Sequence, residues 1–251
     1  MSAIADIITN ENGSDFEAAG LKFRFVNSDY HLHKTTDEMV MVLKEPRFLR
    51  LYDRLFESSP TRNVLEFGVF EGGSIILFAL AYPNFKFVGV DIRPPNEAVL
   101  RHIRRLNLED RVKIYYKTSQ TDGDAIGRIV ETEFGAGEIG VISDDASHNY
   151  QYSKRTFELT FGSLAATGHY CLEDWAWAHW GEPFQTQQWV DQPALTNLLF
   201  EILILYASTH DIITLVETRH AFACVRRGGA KLGELNIDKL LRVRGKKLTL
   251  I

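Results

Sequence analysis

The chain reads as an α/β protein: a doubly wound, mostly parallel sheet with an antiparallel C-terminal hairpin, preceded by N-terminal helices. Three observations predict this. Apolar runs at 64–67 and 86–90 flank a glycine-rich turn and an apolar helical stretch, which is the pattern of a βαβ unit. Strand-like and helical runs then alternate as far as residue 206. Two last strand-like runs, 212–217 and 221–226, stand too close for a helix between them, so they pair antiparallel.

In chain order, residues 1–20 are polar and are expected to be loosely packed. Apolar residues at near-helical spacing over 36–56, interrupted by Pro46, predict two helices. Residues 1–60 are therefore expected to form a helical cover and 61–251 the main domain. After the βαβ unit the pattern predicts helices over 96–106, 124–134, 152–164 and 194–206. Strands are expected over 112–116, 139–143 and 169–172.

The bulk composition excludes several classes. With 45% hydrophobic and 24% charged residues, the 251-residue chain has the make-up of a globular domain. A net charge of −5 leaves no electrostatic footprint for nucleic acid, and the basic clusters at 101–105 and 242–247 read as solvated faces. The N-terminus has no basic, apolar signal pattern, and the run 195–206 is too short to span a bilayer. Cys171 and Cys224 lack metal spacing and fall in apolar runs, so buried reduced thiols and a cytoplasmic location are expected.

The turn after residue 67 carries Gly68, Gly72 and Gly73, residues that let a backbone approach a ligand. Its Gly-x-x-x-Gly-Gly spacing lacks the middle glycine of a pyrophosphate-binding turn, and no Lys-Ser or Lys-Thr follows it. Glu66 and Glu71 place negative charge where a phosphate would sit, which favours a cationic ligand. Asp91, ending the next strand, stands where a carboxylate accepts from ribose hydroxyls. Glu66, Gly68, Gly72, Ser74 and Asp91 are thus cofactor-binding candidates. Ser119, Gln120 and Asp122 join them as polar groups at the third strand end, where helix capping is an equal alternative. An acidic pocket of this kind resembles the S-adenosylmethionine (SAM) site of class I methyltransferases, which have a Rossmann-like fold.

The next two strands end in Asp144-Asp145-Ala-Ser-His148 and Glu173-Asp174-Trp175. Four carboxylates crowded at adjacent strand ends raise one another's pKa, so a cation is implied. Oxygen donors point to magnesium before zinc. Side chains alternate along a strand, so Asp145 is assigned to metal and Asp144 to the cofactor side.

Together, residues 66–74, Asp144 to His148 and Glu173-Asp174 resemble the metal-dependent sugar O-methyltransferases of macrolide biosynthesis and the related rhamnosyl O-methyltransferase and cephalosporin hydroxylase family. The likeness covers about 64–175, with Ala146 in place of a more usual glycine. It implies a SAM-binding methyltransferase domain, Mg2+ held by Asp145, Glu173 and Asp174, and His148 as the base. It further implies a small sugar-containing acceptor and a homo-oligomer. Four tryptophans, Trp175, Trp177, Trp180 and Trp189, follow the second acidic pair. Trp175, Trp177 and Trp180 are candidates for acceptor contacts, since aromatic faces suit a sugar ring, with an apolar lid or subunit contact as the alternative. A catechol-like acceptor and a non-catalytic partner subunit are the competing functional readings.

Overall fold

The computed structural model describes residues 3–27, 30–135, 138–182, 184–185 and 190–247. Trp189 lies outside the described residues. The chain forms two compact units, one of residues 1–58 and 62–119 and one of 59–61 and 120–251.

The first unit opens with α1 (Ala3–Ile7), β1 (Thr9–Asn12), β2 (Asp15–Ala18), β3 (Leu21–Phe25), β4 (Met39–Val42) and α2 (Pro46–Ser58). The N-terminus is therefore more ordered than its polarity suggests. Strands β1 to β4 form a four-stranded sheet, antiparallel except for the β3–β4 pair. Phe16, Ala18 and Phe23 of this sheet are buried, as is Ile4 of α1. The two helices expected over 36–56 are instead one strand and one helix. Met39-Val-Met-Val42 is too short an apolar run to be told from helix by periodicity. Pro46 starts α2 rather than breaking it, because the first helical position needs no N–H donor.

The βαβ unit follows as β5 (Asn63–Phe67), α3 (Gly73–Ala81) and β6 (Lys86–Val90), then α4 (Glu97–Arg105) and β7 (Val112–Tyr115). Strands β5, β6 and β7 are parallel and adjacent in that order. Helix α3 is apolar all round and buried over Gly73 to Ala79, which is why its sequence shows no amphipathic stripe. Tyr52 and Phe56 of α2 pack on Phe78, with centroids 5.1 and 5.2 Å away.

The second unit contains α5 (Gly123–Glu133), β8 (Ile139–Asp144), α6 (Tyr150–Thr160), β9 (Leu164–Glu173), α7 (Thr196–Ser208), β10 (Ile213–Arg219), β11 (Phe222–Arg227) and α8 (Ile237–Leu240). A short ribbon of β12 (Arg242–Val243) and β13 (Lys246–Lys247) ends the described chain. Strands β8 and β9 are parallel, while β11 runs antiparallel to both β9 and β10, giving the expected hairpin. Cys171 and Cys224 are buried cross-strand neighbours in this sheet, both reduced. Helix α6 ends earlier than the sequence suggests, and β9 starts at Leu164, five residues ahead of expectation. No helix among the described residues is long and apolar enough to cross a membrane.

Candidate active site

In the first unit the turn after β5 holds left-handed residues at every second position: Gly68 (φ 86°), Phe70 (φ 51°) and Gly72 (φ 75°). Gly72 is required twice over, since a Cβ there would also lie 2.6 Å from a Val99 methyl. Gly73 presses on β4, where a Cβ would come within 2.1 Å of the Met41 carbonyl oxygen. Ser74 Oγ donates to Glu66 Oε1 at 2.7 Å, joining strand end to helix start, and both residues are buried.

Asp91 closes β6. Its Oδ2 accepts from Phe70 N at 2.7 Å and its Oδ1 from Arg93 N at 2.8 Å. Each oxygen thus holds one backbone donor, and a carboxylate with about four lone-pair sites keeps room for two hydroxyls. The carboxylate is fixed before any ligand arrives, a geometry that fits ribose. Ser119 is half-buried at the end of this unit.

Glu71 behaves differently from expectation. It is buried, and its Oε2 accepts from Thr35 N at 2.9 Å and Asn96 Nδ2 at 2.7 Å, while Oε1 accepts from Arg93 Nη2 at 2.8 Å. Its charge is spent inside the protein rather than offered to a ligand. Arg93, Thr35 and Asn96 were missed by sequence reasoning; an arginine two residues past Asp91 was the available signal.

In the second unit Asp122 is the N-cap of α5, accepting from Ala125 N at 3.0 Å, so the capping alternative holds for it. Asp144 is fully buried and accepts from Tyr170 Oη at 2.9 Å and Gln120 Nε2 at 3.3 Å. Burial pushes its carboxyl up to about 6, against the opposing pull of donors from Tyr170, Ser153, the Ala146 backbone and Gln120. Gln120 also donates to Thr156 Oγ1 at 2.7 Å.

Asp145 is the first residue past the end of β8 and keeps different company from Asp144. One ligand atom each from Asp145, His148 and Asp174 lie within 4.8 Å of one another, all three residues half-buried. His148 Nε2 is 4.0 Å from Asp145 Oδ1. His148 (φ 51°) and Asp174 (φ 57°) both occupy the left-handed region, a strained conformation that clusters at functional sites. Two carboxylates offer oxygen donors that a divalent cation fits, with an imidazole beside them. Glu173 is not in this cluster. It is buried, and its Oε1 accepts from Ser143 Oγ at 3.3 Å.

An aromatic train runs away from the cluster. The Trp177 ring lies 4.3 Å from the His148 ring and 5.2 Å from Phe184. Trp180 lies 5.3 Å from Phe184 and stacks on His220, also at 5.3 Å. Trp175 is half-buried, and its indole nitrogen has no partner among the described residues.

These features, a glycine turn with a fixed acidic acceptor and an acidic cluster at strand ends, define a class I methyltransferase fold with a candidate metal centre. Residues 32–189 match the rhamnosyl O-methyltransferase/CmcI family, and the chain belongs to that family. Among solved structures, the MycE methyltransferase of the mycinamycin biosynthetic pathway, in complex with Mg and SAH, is 23% identical with a TM-score of 0.55. The match covers 72% of this chain and 49% of that one. A second MycE structure, with Mg, SAH and mycinamycin VI, matches over the same shares at 23% identity and a TM-score of 0.54. An O-methyltransferase from Bacillus cereus in complex with SAH is 19% identical with a TM-score of 0.52, over 73% of this chain and 82% of that one. At these identities the likeness shows the fold. The chain spans about half the length of the MycE structures it matches. No curated protein matches it.

Proposed function

We propose that the protein is a SAM- and Mg2+-dependent O-methyltransferase acting on a hydroxyl of a sugar-containing small molecule. The convergence of Asp145, His148 and Asp174 carries this reading. A non-catalytic subunit gains nothing from crowded acids beside an imidazole on a strained backbone, because uncompensated carboxylates cost stability. SAM supplies a methyl group already activated on a sulfonium, and Mg2+ supplies a positive charge that lowers the pKa of a hydroxyl held against it.

Glu66, Gly68, Gly72, Ser74, Asp91 and Ser119 are the cofactor candidates of the first unit, and Gln120, Asp122 and Asp144 those of the second. Asp145 and Asp174 hold the metal. Glu173, which the family resemblance adds as a ligand, is buried and accepts from Ser143 Oγ. His148 accepts the proton as the acceptor oxygen attacks, since a protonated alcohol is a poor nucleophile. Trp177 and Trp180 offer aromatic faces to the apolar side of a sugar ring, and Trp175 lines the approach. The rhamnosyl O-methyltransferase family supports a sugar-containing acceptor, and MycE is solved with the small molecule mycinamycin VI. A cytoplasmic setting accords with two buried, reduced cysteines. Self-association would cover Phe200, Leu203 and Tyr206, exposed at helical spacing on α7.

The deciding experiment incubates the protein with methyl-labelled SAM and a panel of glycosylated and catechol acceptors, with Mg2+ or with excess chelator. Label on sugar hydroxyls only when Mg2+ is present supports the reading. Chelator-insensitive transfer removes the metal from it, and label on catechols alone moves it to the competing acceptor.

A further inference from the structure

We propose that Glu71 is a positioning residue for the cofactor, the hub of a polar clamp that holds the glycine turn and Asp91 in their binding geometry. This rests on the SAM reading above and extends it to residues that touch no ligand. The turn needs such a clamp because Phe70 carries a side chain in a left-handed conformation that glycine adopts freely and phenylalanine does not. Phe70 is held on three sides. Its N–H goes to Asp91 Oδ2, its carbonyl accepts from Arg93 Nη2 at 2.9 Å, and the Arg93 guanidinium lies 4.3 Å from its ring centre.

Arg93 is itself placed by Glu71 and by the Asp91 carboxylate, to which it donates from its backbone. Glu71 in turn ties the turn to the N-terminal segment. Thr35 N donates to its side chain, and Thr35 Oγ1 donates to its carbonyl at 2.6 Å while accepting from Met41 N at 3.0 Å. Asn96 donates to Glu71 and caps α4 by accepting from Ala98 N, so the helix start is locked to the same point. A segment 36 residues before Glu71 thus fixes the angle of the carboxylate expected to read ribose. Strain of this kind persists only where surrounding contacts over-determine it.

The test is calorimetric titration of SAH and, separately, of Mg2+ into the native protein and into Glu71→Ala, Glu71→Gln and Thr35→Val. Glu71→Ala should bind SAH about tenfold or more weakly, the loss expected from hydrogen bonds to a charged group, while Mg2+ binding stays native. Glu71→Gln, which keeps an acceptor oxygen, should recover part of that loss. A purely structural role would lower the melting temperature and weaken both titrations together. If Glu71→Ala does not fold, Thr35→Val decides, because it removes two bonds of the clamp and leaves the carboxylate in place. Native SAH affinity in folded Glu71→Ala, or in Thr35→Val where Glu71→Ala is unfolded, overturns the proposal. Failure of the native protein to bind SAH sinks the cofactor reading and the clamp with it, an outcome distinct from the variants alone matching native affinity.

Discussion

The imidazole of His148 packs on the indole of Trp177 with ring centroids 4.3 Å apart at 44°, while its Nε2 stands 4.0 Å from Asp145. One face of the ring is covered by an aromatic and its edge is turned to a carboxylate, which limits the orientations it can take. An imidazole so confined suits proton transfer, since a base works only within hydrogen-bond reach of the proton it takes. His148→Ala should therefore lose about 10²–10⁴-fold in kcat, the usual worth of general base catalysis, with SAH and Mg2+ binding kept. Steady-state methyl transfer paired with calorimetry checks it, and native turnover in the variant removes His148 from the reaction.

The residues proposed as metal ligands separate into two groups. Asp145 and Asp174 converge, whereas Glu173 is buried and bonded by Ser143. Asp145→Asn and Asp174→Asn should each raise the Mg2+ concentration needed for half-maximal activity about tenfold or more, and Glu173→Gln by clearly less. Equal shifts for all three would return Glu173 to the coordination sphere.

This division shows how far the sequence could be read. The strand-end acids were visible as a group because Asp144-Asp145 and Glu173-Asp174 each close an apolar run. Glu173 is the last residue of β9 and Asp174 leaves the strand at φ 57°, with Asp174 in the cluster and Glu173 outside it, whereas the family resemblance implies both on one ion. The βαβ unit was legible because its runs are long and its glycines sit at the turn. The N-terminal sheet was not, because strands of four or five residues are too short for their periodicity to be told from that of a helix. The Glu71 clamp escaped notice for another reason: Thr35, Arg93 and Asn96 are remote from it in sequence and ordinary in type, and only the fold brings them together.

Trp177 and Trp180 give a readout separate from the chemistry. Trp180→Ala should raise acceptor KM several-fold with little change in kcat, because it lies beyond Phe184 from the cluster. Trp177→Ala should change both, since it also confines His148. A change in oligomeric state with native KM, read by light scattering, would assign the tryptophans to a subunit contact.

Lys154 links α6 to two acids. Its Nζ lies 2.9 Å from Glu201 Oε1 and 2.6 Å from Asp238 Oδ1, and Tyr150 Oη donates to Glu201 at 2.6 Å. Glu201 is buried, so Lys154→Met leaves its charge without a cation inside the fold. Removing one partner of a buried pair costs about 3–5 kcal/mol, whereas Lys154→Met combined with Glu201→Leu should recover most of it. Denaturant unfolding of the single and double variants checks the cycle, and an additive outcome would show that the pair is not coupled.

His169 on β9 makes stability depend on pH. Burial holds its pKa below the ordinary value of 6.5, the Arg226 charge lowers it further, and Glu217 opposes both. Its Nδ1 is buried with no partner among the described residues. The unfolded chain takes up this proton at about pH 6.5, while the folded protein resists it to lower pH, so the unfolded state binds more protons in between. The contribution of His169 is thus complete above pH ~6.5 and is lost as pH falls through the window down to the folded pKa. His169→Phe cannot titrate and fills a similar space, so its unfolding free energy should fall less than that of the native protein across that window. Urea unfolding on both sides of pH ~6.5 measures this, and parallel curves would mean that His169 takes up its proton at the same pH in the folded and unfolded chains.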